Sequence, residues 1–201
     1  SGRIVITAAL QAGDEMRRVQ RIAYRVRQLQ QFHPGFAADS KARWQTDTLW
    51  QPLRMAIEKL LICYDWAEAF VALNLVLKPL MDEMFMNYVS ELALREGDYL
   101  LGQVFYSLNE DCRWHREWSQ ALARMVIEDN LQNSVTIEGW IEKWYPVAAR
   151  ALQAFAPLFE GKIEEAQMPP LEGVTQKIDK YYWNYLSSMR LQPSISDSLQ
   201  Y

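Results

Sequence analysis

Between Leu60 and Met81 the chain reads LLICYDWAEAFVALNLVLKPLM, its most apolar stretch, and no other segment restricts the fold as strongly. Asp65, Glu68 and Asn74 lie among Trp66, Phe70, Val71, Leu73, Leu75, Val76 and Leu77. At 100° per residue Glu68 and Asn74 are about 600° apart, so they leave a helix on different faces. A helix apolar on nearly every side is surrounded by protein, and its polar groups need partners inside that protein. The segment is therefore predicted to be the central helix of a helical bundle, with Asp65, Glu68 and Asn74 as buried polar groups. Its longest charge-free run, Ala69 to Leu77, is far below the ~20 residues of a membrane span, so no membrane partner is expected.

The flanks repeat the helical period. From Ile4 to Leu29 the residues Ala8, Ala12, Met16, Val19, Ala23, Val26 and Leu29 recur at steps of three and four and predict one apolar face. His33-Pro34-Gly35 ends that helix. A second helix is predicted to start near Thr48 and to run without a break into the central stretch, until Pro79 kinks or restarts it. It then continues to Gly97. Further helices are predicted over Tyr99 to Glu128 and from about Ser134 to Phe159, the latter kinked at Pro146. Gly161 to Pro170 reads as a linker, Leu171 to Met189 as an amphipathic helix packed outside the bundle or on a partner, and Pro193 to Tyr201 as a loosely held tail. No segment alternates with period two. The expectation is all-α: a long-helix bundle over 1–160, then linker, outer helix and tail over 161–201. The chain opens at Ser1 without a methionine, so it reads as a candidate fragment, and the absence of a targeting segment carries little weight.

Bulk composition excludes several functions. The net charge of -4 offers no basic excess for nucleic acid. The two cysteines, Cys63 and Cys112, make no disulfide framework and read as reduced thiols of a cytoplasmic protein. Eight Trp is generous for 201 residues, and Trp is enriched where subunits meet. Trp66, Trp140 and Trp144 are candidate interface anchors, with core packing the equal alternative.

Long-helix bundles often hold two metal ions between carboxylates, through a Glu on each of two helices and Glu-x-x-His on each of two more. The chain has only two histidines, His33 and His115, and no Glu precedes either by three. Two stretches look like that motif with parts exchanged. In Asp14-Glu15-Met16-Arg17-Arg18, Arg18 stands where the His would be. In Asp111-Cys112-Arg113-Trp114-His115, Cys112 stands where the Glu would be. Arginine has no lone pair for a metal, but it can supply the missing positive charge to Glu15. No metal site, no phosphate loop and no nucleophile elbow can be assembled from these residues. Cys112 with His115 makes only a weak nucleophile–base pair.

The block Tyr64-Asp65-Trp66-Ala67-Glu68-Ala69-Phe70-Val71-Ala72-Leu73-Asn74-Leu75-Val76-Leu77-Lys78-Pro79 resembles the β subunit of bacterial multicomponent monooxygenases. Ile137-Glu138-Gly139-Trp140-Ile141-Glu142-Lys143-Trp144 and Trp118-Ser119-Gln120-Ala121-Leu122 are similar to the same subunit. The resemblance covers roughly Gln11 to Phe155, and the toluene-type enzymes are the most similar. It implies a ferritin-like fold shared with a catalytic α subunit, in a dimer of αβγ units. It also implies that only α keeps di-iron, and that Glu15, Arg18, Cys112 and His115 are remnants of a lost site, with Leu73 or a neighbour in place of the remaining Glu. A reductase and a small regulatory protein are the implied partners of the complex, which oxidises aromatic or small hydrocarbon substrates with O2 and NADH-derived electrons. No catalytic residue is expected in this chain. The rival expectations are an independent metal-binding ferritin-like enzyme and a generic helical scaffold.

Overall fold

The computed structural model describes residues 2–159, 171 and 173–195. Among them every regular element is helical. Helix α1 spans Gly2–Phe32, α2 Ser40–Thr46 and α3 Gln51–Leu61. A central rod follows, made of α4 (Trp66–Phe70), a π-helical segment Val71–Leu77, α5 (Lys78–Asp82), a second π-helical segment Glu83–Tyr88 and α6 (Val89–Arg95). Then come α7 (Tyr99–Asp129), α8 (Gln132–Phe155), a 3₁₀ turn Ala156–Leu158, and α9 (Val174–Ser187).

The predicted run from Thr48 into the central stretch is broken. Chain between α3 and α4 leaves the helix, and Asp65 caps the new start: its Oδ1 accepts the N–H groups of Ala67 at 2.8 Å and Glu68 at 3.3 Å. Asp65-x-x-Glu68 before an apolar run is the sequence signature of a helix start. Asp65 is therefore an exposed cap and no buried polar group. Tyr64 and Trp66 on either side of it are exposed too, Trp66 at 67%.

Pro79 does not break the rod. A proline ring collides with the carbonyl four residues back and supplies no N–H. The rod answers with wide π turns before and after the α5 segment that holds Pro79. Gly97, with φ of +82°, closes α6, and Asp98 Oδ1 caps α7 by accepting Leu101 N–H at 2.9 Å. Pro146 is carried inside α8.

The main core lies between the rod, α3, α8 and α9. Leu75, Val76 and Leu80 of the rod, Ile141 and Phe155 of α8, and Ile178 and Tyr182 of α9 are fully buried in one cluster. The expectation of an outer α9 is thus corrected: Val174, Ile178, Tyr182 and Leu186 each have 0% exposure. Their spacing of four puts one stripe against the rod and α8. Leu171 is also buried, and its N–H donates to Phe159 O at 2.8 Å, which ties the return of the chain to the end of α8. The start of the predicted tail is pinned, with Gln192 N–H on Glu138 and Ser194 N–H on Glu142. The predicted linker over 161–170 and positions 196–201 lie outside the described residues.

Helix α1 overturns its predicted orientation. Of the expected core face, Ala8, Ala12, Met16, Val19 and Ala23 are exposed, and only Val26 and Leu29 at its C-terminal end are half-buried. Only Gln11 of this helix is fully buried, and Gln11, Arg18 and Arg25 recur at seven residues, two helical turns, on the face that meets the bundle.

Candidate functional site

The seam where α1 meets the rod and α7 is polar, and it gathers four of the five expected remnants. Arg18 Nη1 lies 3.1 Å from Glu15 Oε2 and 3.1 Å from Asp82 Oδ1, while Nη2 donates to Cys112 Sγ at 2.8 Å. Lys78 Nζ bridges Glu15 Oε1 at 2.5 Å and Asp82 Oδ2 at 2.9 Å. The side chains of Asp82 and Lys78 keep only 5% and 12% exposure. Beside them His115, from α7, is 2% exposed and places Nε2 3.2 Å from Asp14 Oδ2, which also accepts Trp114 Nε1–H at 2.9 Å. An ionised carboxylate can only accept, so Nε2 carries the imidazole proton. Arg17 completes the rim by pairing with Asp14 and Asp111.

Charge sets the protonation states here. Burial alone would raise the Asp82 carboxyl, but Lys78 and Arg18 outweigh it and hold the group below its usual range. Burial likewise opposes the charge on Lys78, yet Asp82 and Glu15 keep it firmly protonated. Burial and the nearby Lys78 ammonium push His115 down, which favours the neutral ring. Burial, and then Asp82, push the Cys112 thiol up to about 12. Cys112 is therefore a neutral thiol under a guanidinium, and the nucleophile–base reading has no support in this geometry.

Leu73 lines a groove of 490 Å³ between α1, α3 and the rod, together with Leu53, Ile57, Met81 and Phe85, and Glu15, Arg18, Lys78 and Asp82 of the seam line the same groove. The charged positions are Lys78 and Asp82, which sequence reasoning missed. Their i, i+4 spacing inside an otherwise apolar segment was the available signal.

The expected polar network of the central stretch divides. Asn74 is buried, and its Oδ1 accepts Gln11 Nε2–H at 2.7 Å; Gln11 Oε1 in turn accepts Trp118 Nε1–H at 2.9 Å. This chain ties α1, the rod and α7 together. Glu68 sits on the other side and accepts from Trp144 Nε1 and Lys143 Nζ, each at 2.7 Å. These bonds hold the Glu68 carboxyl below its usual range, Lys143 first and Trp144 second. Trp144 is buried at 8% exposure and Trp140 is half-buried, packed on the main core. Both serve internal packing, whereas Trp66 is the one of the three candidate anchors with a free surface.

Among the described residues no group of three or more His, Cys, Asp and Glu side chains can hold a metal ion. The donor set does not fit an iron pair, because two side-chain cations, Arg18 and Lys78, stand among the carboxylates that would ligate it. No described helix is long and apolar enough to cross a membrane.

Comparisons with known proteins agree with this architecture. The beta subunit of the hydroxylase component of the toluene-4-monooxygenase system of Ectopseudomonas mendocina is 38% identical over 160 residues, 79% of this chain and 49% of that one. The small subunit of the hydroxylase component of a Gordonia propane 2-monooxygenase is 31% identical over 124 residues, covering 59% of this chain and 33% of its own length. The chain thus spans about half the length of the first relative and a third of the second. A solved structure of toluene 4-monooxygenase with toluene in the resting active site matches with a TM-score of 0.71 and 39% identity, over 73% of this chain and 49% of that chain. The all-α bundle is accordingly ferritin-like, as expected. Residues 1–130, which carry α1, the rod and the charged seam, match the family model of the methane, phenol and alkene hydroxylases, and the chain belongs to that family.

Proposed function

We propose that this chain is a non-catalytic β subunit that builds the hydroxylase component of a di-iron monooxygenase, with the iron held by a catalytic α subunit. The observation that carries the reading is the inverted α1. Its polar face closes the seam, and its apolar stripe, with Val5, Met16 and Val19 at 57–68% exposure, faces outward. Such a stripe fits the face of another helical subunit, and permanent subunit contacts commonly bury about 2,000 Å² or more. Trp66, beside Tyr64 and Leu61 on the surface, is a second contact point.

The charged seam supports the non-catalytic half of the reading. Glu15, Arg18, Cys112 and His115 are what remains of a metal site whose charge two basic side chains now supply. Their work is to set the register of α1 on the rod and α7, so that the outward stripe is presented at a fixed angle. When bound in α, the iron pair supplies O2 activation for oxidation of aromatic or small hydrocarbon substrates. A γ subunit, a second αβγ unit, a reductase passing on NADH-derived electrons and a regulatory protein complete the cytoplasmic system.

Co-expression with the larger hydroxylase subunit tests this. The two should co-purify, with iron following the larger subunit. Val19→Glu should abolish co-purification while the variant alone keeps the melting temperature of the parent chain. Near-stoichiometric iron in the isolated chain would overturn the reading in favour of an independent metal enzyme. Failure of the larger hydroxylase subunit to bind would overturn the subunit role proposed here.

A further inference from the structure

We propose that the 490 Å³ groove between α1, α3 and the rod seats one further amphipathic helix, drawn from the half of the relatives' beta-subunit length that these 201 residues do not match. Its walls repeat at helical spacing. Leu53, Ile57 and Leu60 line it from α3, and Leu73, Leu77, Met81 and Phe85 line it from the rod at steps of four. Ridges at steps of three and four are what a neighbouring helix packs between. Leu53, Ile57, Leu73 and Phe85 are only half-buried, so a seated helix would take further apolar surface out of water. From Leu73 to Phe85 the rod runs about 18 Å at 1.5 Å per residue, room for roughly three turns.

In bundles that hold two metal ions, four helices contribute, two through Glu-x-x-His and two through a single Glu. Among the described residues three elements reach the seam: α1 with Glu15 and Arg18, the rod with Lys78 and Asp82, and α7 with Cys112 and His115. The groove takes the remaining side, since Glu15, Arg18, Lys78 and Asp82 all line it. Arg18 also indicates what the helix carries. Its Nε–H is buried without an acceptor, and folded proteins rarely leave such a donor unpaired. The charges of Glu15, Asp82, Arg18 and Lys78 cancel, so a carboxamide oxygen from Asn or Gln satisfies Nε without adding net charge. The match takes up 49% of the Ectopseudomonas mendocina beta subunit, and the other half of that chain is long enough to supply the helix. At 100° per residue the groove face of α1 is centred about 95° from its outward stripe, so the seated helix leaves that stripe to the larger subunit.

The inference rests on the reading of the chain as a hydroxylase subunit, but its test needs neither the larger subunit nor iron, so either can fail alone. Synthetic 25-residue peptides that tile the unmatched half of the Ectopseudomonas mendocina beta subunit are added in turn to the 201-residue chain carrying Leu73→p-benzoylphenylalanine. On irradiation one peptide, or two that overlap, should cross-link at position 73. The same peptide should raise the melting temperature of the parent chain by several degrees, and its sequence should place Asn or Gln among apolar residues at steps of three and four. Ile57→Glu, in the opposite wall, should weaken its binding at least tenfold. Replacing the peptide's carboxamide residue by Ala should weaken binding to the parent chain about tenfold. It should add nothing in Arg18→Lys, which keeps the charge and lacks the guanidinium Nε–H. Should Ile57→Glu fail to fold, the cross-linking pattern decides by itself. The proposal is overturned if no peptide at millimolar concentration cross-links or raises the melting temperature. It is equally overturned if position 73 joins two copies of the chain, or if binding survives in folded Ile57→Glu.

Discussion

The two sides of the central rod are held by different physics. Toward α3, α8 and α9 the rod buries Leu75, Val76 and Leu80 among Ile141, Phe155, Ile178 and Tyr182, all at 0% exposure. Toward α1 and α7 it meets a seam of Gln11, Asn74, Arg18, Lys78, Asp82 and His115, ordered by hydrogen bonds and ion pairs. An apolar core draws its stability from area removed from water and tolerates some change of shape. A buried charged seam adds little net stability over an apolar one, yet it penalises any wrong register, because each charge left alone is costly. That makes the first side a foundation and the second a device for aiming α1.

The contrast can be broken by mutation. The largest effect is expected at Asp82, whose loss strands Lys78 and Arg18 in the seam. Asp82→Ala should cost about 3–5 kcal/mol in urea unfolding, and a loss under 1 kcal/mol would show that water reaches the cluster freely. On the opposite side Ile178→Ala should cost about 2–5 kcal/mol through transfer and cavity terms. A near-neutral result there would return α9 to the exterior. Glu68→Ala strands the Trp144 indole N–H and should cost about 1–3 kcal/mol, leaving iron chemistry in any assembled complex unchanged. Val19→Glu, on the outward stripe, should stay within about 0.5 kcal/mol in the isolated chain while abolishing subunit assembly.

Acid separates the two sides without mutation. The His115 and Asp82 values both lie below their unfolded ones. The unfolded chain therefore takes up more protons as pH falls, and stability drops. The seam's contribution is complete above the ordinary histidine value of 6.5, begins to weaken below it, and weakens further once Asp82 is forced to protonate below 3.8. Amide exchange should rise first along α1, with α8 and α9 following only at global unfolding. Simultaneous opening of α1 and α9 would refute the division.

Much of the helical plan was legible from local chemistry. Gly97 and Pro34 end helices because of backbone limits that hold in any context, and the apolar period of α7 and α8 gave their spans within a few residues. The break at Asp65 is legible too, through the capping signature, although the apolar neighbourhood around it points to burial. The charged seam was half legible. Glu15 and Arg18, three apart, are neighbours on any helix, whereas their bonds to Lys78 and Asp82 cross more than sixty residues of chain.

Sequence alone determined that the chain is helical and where most helices stop. Those are consequences of side-chain chemistry and short-range geometry. Tertiary structure decided which face of α1 turns inward, that α9 joins the core, and that Lys78 meets Glu15. Periodicity reports that a helix has two faces; only the neighbours it meets, and the charges they carry, select the one that is buried.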